Sequence, residues 1–389
     1  MTTGSLHLSD FDIDPVRGFL PSQDPLLSLG EAFDDWEGVA HGLPKLLMTS
    51  RIRSLIESLP PFPTAALRNE RETRRAMGLL SYLGHAYVWG EPGVPKVLPA
   101  VLARPWAEVA AKQGRPPILS YASYALDNWY RIDEDGPIEC GNICLIQNFL
   151  AGMDEEWFIL IHVDIEARAA EAITSLPACL LAAANQDAES LKSHLGKVLH
   201  SLDEMNRVMN RMPEFCDPYI YFHRVRPYIH GWKNHPEMGE GLVYEGCFDG
   251  KPQSYRGETG AQSSIVPCLD AMLGVQHADD PLKEYLLEMR TYMPPKHRAY
   301  MEAIESTGGI REFVFSAGNA ELSELYDACV EGVRKFRATH LEYAASYIYK
   351  QLQTDKNNPS AVGTGGTPFM VYLKKHRDET AEHRLSSDS

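Results

Sequence analysis

A histidine lies within an apolar stripe near the C-terminal end of the chain. From residue 321 onward, these side chains recur at helical spacing and share one face: Leu322, Leu325, Cys329, Val333, Phe336, His340, Ala344 and Tyr347. A buried imidazole needs a partner for each ring nitrogen, and a neutral imidazole can ligate iron. Arg337 lies one turn earlier, where its guanidinium could pair with a haem propionate. The spacing leaves two interpretations open, an iron ligand and a hydrogen-bonded histidine of the core.

A second histidine, His162, lies within the apolar run 157–163 (WFILIHV). On a helix, Phe158 and His162 would lie one turn apart on the same face. One histidine that holds an iron and another that faces the bound ligand would form a functional pair. The chain has 14 histidines, however, so two of them on apolar faces also agree with ordinary core packing.

Helical periodicity dominates the rest of the chain and predicts a mainly α fold. Apolar residues repeat at helical spacing in the segments at about 26–39, 70–89, 106–112, 118–130, 155–175, 188–212, 263–276, 282–290, 297–305 and 321–353. Strand-like alternation is scarce, with one short run within 133–153. Two loops interrupt the pattern, at 249–262 and 354–367. The second is polar and glycine-rich near its end, so we expect either a mobile lid or a plain surface linker.

The composition is that of a globular protein with an acidic surface. The 389 residues are 44% apolar, and the formal net charge is -16. Such a surface repels phosphate backbones and anionic lipids, so no nucleic-acid or membrane partner is expected. Seven cysteines without a CxxC pair, and no secretory signal at the start, indicate reduced thiols in a cytoplasmic protein. The run 157–163 is far shorter than the roughly 20 residues of a membrane helix.

Many short motifs occur in a fixed order along nearly the whole chain. The C-terminal third contains GAQSS (260–264), MRTYMPPKHR (289–298), REFV (311–314), YDAC (326–329), RATH (337–340) and GTGGT (363–367). The preceding part contains AYVWG (86–90), KVLP (96–99), PPIL (116–119), YA (121–122), NW (128–129), GWK (231–233) and GLVYEG (241–246). In this order, from about residue 18 to 377, the motifs closely resemble the indoleamine 2,3-dioxygenase family.

The resemblance implies a mainly helical, two-domain protein with haem b between the domains. The small N-terminal domain would cover residues 1–150, and the large haem-binding domain 151–389, with the mobile loop at about 354–367. His340 would be the axial ligand of the haem iron. Arg337 would lie near a haem propionate, with Asp270 as its salt-bridge partner, and Thr259 would also contact the cofactor.

The resemblance also implies a binding site for tryptophan or a related indole. Arg226 would hold the substrate carboxylate, because its planar guanidinium can bind a carboxylate through two hydrogen bonds. Thr364 and Gly260 would lie at the amino-acid head group. Aromatic side chains would form the wall around the indole ring: Tyr121, Tyr124, Phe158, Tyr221 and Phe222.

The chain departs from the familiar pattern of the family at four positions. His162 stands where the best-known animal members carry a small serine, and it resembles the related tryptophan 2,3-dioxygenases. Depending on its tautomer, this catalytic candidate could donate a hydrogen bond to bound oxygen or contact the indole N–H. Tyr124 replaces a small residue, Tyr221 a phenylalanine and Glu258 a glycine. The reaction should be retained, whereas these four residues leave open which indole is the preferred substrate.

The expected reaction is the addition of both atoms of O2 across the C2–C3 bond of L-tryptophan, which gives N-formylkynurenine. It consumes no net electrons, and the chain has no GxGxxG dinucleotide motif. Two alternatives are open: the same haem fold acting on, or rearranging, another indole, and a haem- or oxygen-binding protein without turnover. The family branch implies a monomer.

Overall fold

Fifteen α-helices run through the part of the chain that the computed structural model describes, which is residues 6–276, 281–354 and 369–385. The first seven are α1 (Asp34–His41), α2 (Leu43–Leu46), α3 (Ile52–Glu57), α4 (Glu70–Trp89), α5 (Ala100–Gln113), α6 (Met153–Ala184) and α7 (Ala188–Met209). The others are α8 (Pro218–Ile220), α9 (Ile265–Leu273), α10 (Pro281–Arg290), α11 (Pro295–Thr307), α12 (Ile310–Ala317), α13 (Ala320–Tyr343), α14 (Lys350–Thr354) and α15 (Phe369–Glu382). The prediction of a mainly α fold is confirmed.

The described residues also contain five short strands: β1 (Val97–Leu98), β2 (Trp129–Arg131), β3 (Ile143–Leu145), β4 (Leu242–Tyr244) and β5 (Pro252–Gln253). Strand β4 lies in the middle of a three-stranded sheet, parallel to β1 and antiparallel to β5. Strands β2 and β3 form an antiparallel pair in which Tyr130 faces Cys144. The strand-like run predicted within 133–153 corresponds to β3.

Helix α6 is the longest helix of the described residues and passes through the interior of the molecule. Its first turn carries Asp154, Glu155 and Glu156, and acidic side chains there stabilise the helix by interacting with the positive end of its dipole. By length and composition α6 could cross a membrane, but 56% of its most apolar window is buried within the protein. Its most extensive contacts are with α7. In this structure α6 is therefore a core helix.

Two hydrophobic cores lie on either side of α6. Helices α4 and α5 dominate the first core, and α7, α9 and α13 contribute to the second. Ile159 and Val163 of α6 belong to the first core and Ile161 and Ile165 to the second, whereas Phe158 packs against both. A site beside Phe158 is therefore lined from both cores.

The proposed domain boundary at residue 150 remains a prediction. The first core also contains residues well beyond position 150, including Ile229, Trp232 and Tyr244. The two cores thus do not divide the chain at a single point.

The observed helices agree with the predicted periodicity, with local differences. Helix α4 has the predicted bounds, and the Asn69 side chain caps it by accepting a hydrogen bond from the Glu72 N–H at 2.9 Å. The last long helix does not continue regularly to residue 353, because a π-helical turn, Ala344–Tyr349, follows α13. The segment 118–130 likewise contains a π-helical turn, Ala122–Leu126, before β2. Such turns are frequent at functional sites.

Candidate active site

His340 lies near the end of α13 and is accessible, although the helix around it is packed into the second core. The buried face of α13 carries Leu322, Tyr326, Cys329, Val330, Val333 and Arg337. Burial among the apolar residues of the stripe was expected for His340 as well, and this expectation is wrong, because its side chain is exposed. Desolvation by the surrounding protein nevertheless lowers the pKa of His340 to about 4, with smaller contributions from His162 and Arg337.

The His340 imidazole is neutral at physiological pH and has no hydrogen bond within the described ranges. A hydrogen-bonded histidine in a filled core, the alternative interpretation from the sequence, therefore does not describe this side chain.

Arg337 is held behind His340 by a buried ion pair. Its two terminal nitrogens donate to the two carboxylate oxygens of Asp270 at 2.9 and 2.5 Å, and Nη1 also donates to the Thr380 hydroxyl at 2.5 Å. Both members of the pair are only 8% exposed. These bonds join α13 to α9 and α15, so they fix the end of the helix that carries His340. The predicted pairing of Arg337 with Asp270 is present in the structure.

His162 comes from α6 and lies close enough to His340 for the charge of one to lower the pKa of the other. Its Nδ1 lies 2.7 Å from the Phe158 carbonyl oxygen, one turn earlier. Because a carbonyl oxygen only accepts, we assign the proton to Nδ1, which leaves Nε2 as a hydrogen-bond acceptor. Burial lowers the pKa of His162, so the neutral ring is favoured.

Phe158 lies at the centre of an aromatic wall beside the two histidines. Its ring centroid is 4.7 Å from that of His162, 4.5 Å from that of Tyr221 and 6.4 Å from that of Tyr124. The ring of Tyr121 meets His162 edge-on at 5.9 Å. Four of the five predicted wall residues are therefore brought together.

Phe222, the fifth predicted wall residue, contacts the predicted carboxylate ligand. The Arg226 guanidinium lies 5.4 Å from the centroid of the Phe222 ring, which is an attractive cation–π distance. Arg226 is only 1% exposed, and desolvation lowers its pKa to about 10. It therefore remains a buried cation at neutral pH, and such a cation favours binding of an anionic group.

The loop before α9 brings Glu258, Thr259 and Gly260 to the same region. Glu258 is 3% exposed, and desolvation raises its pKa to about 8, so the carboxyl is largely protonated at neutral pH. The Thr259 hydroxyl accepts a hydrogen bond from the Ala261 N–H at 3.4 Å. Gly260 is exposed, and a Cβ atom at this position would meet open space. Thr364, the remaining predicted substrate residue, lies outside the described residues.

Glu166 is a residue of the site that sequence analysis missed. One of its oxygens accepts hydrogen bonds from the Tyr121 hydroxyl and the Ser263 hydroxyl, both at 2.9 Å. Burial raises its pKa to about 7. The available signal was a carboxylate one helical turn after His162, on the same face of the predicted helix.

Comparison of the sequence with known proteins finds relatives over nearly the whole chain. The family model described as "Indoleamine 2,3-dioxygenase" matches residues 7–383. Indoleamine 2,3-dioxygenase 1 of Mus musculus is 38% identical over 400 residues, which cover 99% of this chain and 98% of that protein. The rat protein of the same name is 37% identical over 97% of this chain and 96% of its own length. Indoleamine 2,3-dioxygenase of Saccharomyces cerevisiae is 32% identical over 96% of this chain and 92% of its own length.

These matches and the helical fold identify the protein as a dioxygenase, an oxidoreductase. The chain belongs to the indoleamine 2,3-dioxygenase family. The predictions of family and enzyme class are confirmed.

Proposed function

We propose that the protein is a haem-dependent dioxygenase that adds both atoms of O2 across the indole C2–C3 bond of L-tryptophan and forms N-formylkynurenine. Family membership supports a dioxygenase acting on an indole. The observation that supports the proposal most strongly is the accessible, neutral His340 imidazole, whose pKa the nearby His162 helps to lower.

The residues around His340 fit a haem group. A neutral imidazole nitrogen is the form that ligates haem iron, and His340 has this form and no competing hydrogen bond within the described ranges. Its helix is held by the Arg337–Asp270 ion pair, so the ligand would be rigidly positioned. In the proposal, His340 would hold the iron of haem b, and Arg337 and Thr259 would contact the cofactor. Bound haem would supply the iron at which O2 is activated.

Arg226 would hold the tryptophan carboxylate. Its buried guanidinium presents a charge that water screens weakly, and a carboxylate can accept two hydrogen bonds from it. Gly260 would leave room for the head group, and Thr364 would contact it.

The aromatic side chains would orient the indole ring and exclude water. Tyr121, Tyr124, Phe158 and Tyr221 would form the wall, with Phe222 beside Arg226, and these rings offer large apolar faces. His162 would accept a hydrogen bond from the indole N–H, because its Nδ1 is already bound to the Phe158 carbonyl oxygen. Orientation of the substrate in this way is a recognised source of rate acceleration.

Turnover with labelled oxygen tests this proposal. The haem-loaded, reduced protein is mixed with L-tryptophan and ¹⁸O2, and the product is analysed by mass spectrometry. A product with two labelled oxygen atoms is expected. A product of another mass, or turnover of a different indole only, would instead support action on a related substrate. Unchanged substrates despite bound haem would refute an enzymatic role. A monomeric state and a cytoplasmic location also remain proposals.

A further inference from the structure

Tyr124 carries a buried hydroxyl group without a hydrogen-bond partner in the described part of the chain. The residue is 1% exposed. Its ring stacks on that of Tyr82, with centroids 6.2 Å apart and planes 22° from parallel. The Tyr82 hydroxyl, in contrast, accepts a hydrogen bond from the Asn128 amide at 2.9 Å. The Tyr82 hydroxyl therefore has a hydrogen-bond partner in the described part of the chain, whereas the Tyr124 hydroxyl has none.

A buried hydroxyl that lacks a partner is costly, and proteins rarely keep one without a reason. A ligand that brings its own donor or acceptor would remove this cost. The unpaired Tyr124 hydroxyl is therefore suited to contact a polar atom of a bound molecule.

The surroundings of Tyr124 belong to the proposed indole site. Its ring lies 6.4 Å from Phe158, the centre of the aromatic wall. Burial raises the pKa of Tyr124, so its hydroxyl stays protonated and can donate a hydrogen bond as well as accept one. Because the Phe158 ring also contacts His162 and Tyr221, the Tyr124 ring belongs to the aromatic cluster that would surround the indole.

We propose that Tyr124 determines substrate specificity: its hydroxyl binds a hydrogen-bonding substituent on the benzene ring of the indole. This inference rests on the proposed function. There, Arg226 holds the carboxylate and His162 the pyrrole N–H, so the benzene ring is the part of the substrate left to reach Tyr124. A ring-hydroxylated tryptophan would then be preferred to one with an apolar group of similar size.

The test compares kcat/KM for L-tryptophan and for its 5-hydroxy, 6-hydroxy, 5-methyl and 6-methyl derivatives. The wild-type holoenzyme should prefer a hydroxyl over a methyl group in at least one of the two positions. Tyr124→Phe removes only the oxygen atom and should reduce that preference about five- to tenfold, the usual effect of one neutral hydrogen bond. Tyr82→Phe is the matched control, because it removes a neighbouring hydroxyl bound to Asn128, and it should leave the preference unchanged.

Binding to the ferric holoenzyme, measured by calorimetry without O2, provides a second readout and should show the same change in the ratio of Kd values. If Tyr124→Phe changes the preference for a hydroxyl over a methyl group by less than twofold, the inference is overturned. Turnover of tryptophan would still support the proposed function in that case. If Tyr124→Phe does not fold, a wild type that never prefers the hydroxylated substrate overturns the inference by itself. An absence of binding and turnover for every indole would overturn the proposed function and the inference together.

Discussion

Replacing Arg226 by alanine is expected to reduce kcat/KM for L-tryptophan about 30- to 4,000-fold. The guanidinium is 1% exposed, so a carboxylate bound to it would form a desolvated charge pair. Removing one partner of such a pair costs about 2–5 kcal/mol, and each 1.4 kcal/mol corresponds to a factor of ten. Most of the change should appear in KM, because the carboxylate is remote from the bond that reacts.

Tryptamine separates this role from a structural one, because it lacks the carboxylate. Initial rates of product formation are measured for both substrates with the wild type, Arg226→Ala and Arg224→Ala. Arg224 is a nearby exposed arginine, and its replacement should change neither rate. Arg226→Ala should impair tryptophan but leave tryptamine nearly unaffected. Equal losses for both substrates, or an unchanged KM for tryptophan, would refute the assignment of Arg226 to the carboxylate.

Three further predictions concern the residues around the two histidines. His162→Ser should retain turnover. It should reduce the preference for L-tryptophan over 1-methyltryptophan, which lacks the indole N–H, by about five- to tenfold in kcat/KM. An unchanged preference would contradict a contact between His162 and the indole N–H. Asp270→Asn should lower the free energy of unfolding, measured with a denaturant, by about 3–5 kcal/mol, because the Arg337 charge stays buried without its ionic partner. The double replacement Asp270→Leu with Arg337→Met should restore most of that loss. The pKa of Glu166 is raised from 4.5 to about 7 in the folded protein, so its stabilising contribution is largest below pH 4.5 and is lost as the pH rises to 7. Relative to Glu166→Gln, the wild type should lose about 3 kcal/mol at most over this interval, and parallel stability curves would contradict the assignment.

The helices were predictable where one apolar face alternates with a polar one. Helix α4 combines such a face with Asn69 as its cap, and its predicted bounds are those observed. Helix α6 was expected to end near residue 175 but continues to Ala184. Its last turns, LPACLLAAA, are apolar on every side, so no periodic contrast marks where the helix ends.

The candidate site was less predictable from the residues themselves. Helical spacing places His340 on the inner face of α13, but it cannot tell whether the space opposite is filled. The Arg337–Asp270 pair joins residues 67 positions apart, which local patterns do not connect, so only the family resemblance suggested it. Glu166 was missed because its two hydroxyl partners, on Tyr121 and Ser263, come from distant segments.

The absorption spectrum of the haem-loaded protein with and without the His340 side chain tests the central claim most directly. The wild type should show the spectrum of a histidine-ligated haem. His340→Gly should lose that spectrum and regain it when imidazole is added, because free imidazole can replace the missing ligand. A histidine-ligated spectrum in His340→Gly without added imidazole would show that another residue holds the iron, and the proposed site would be wrong.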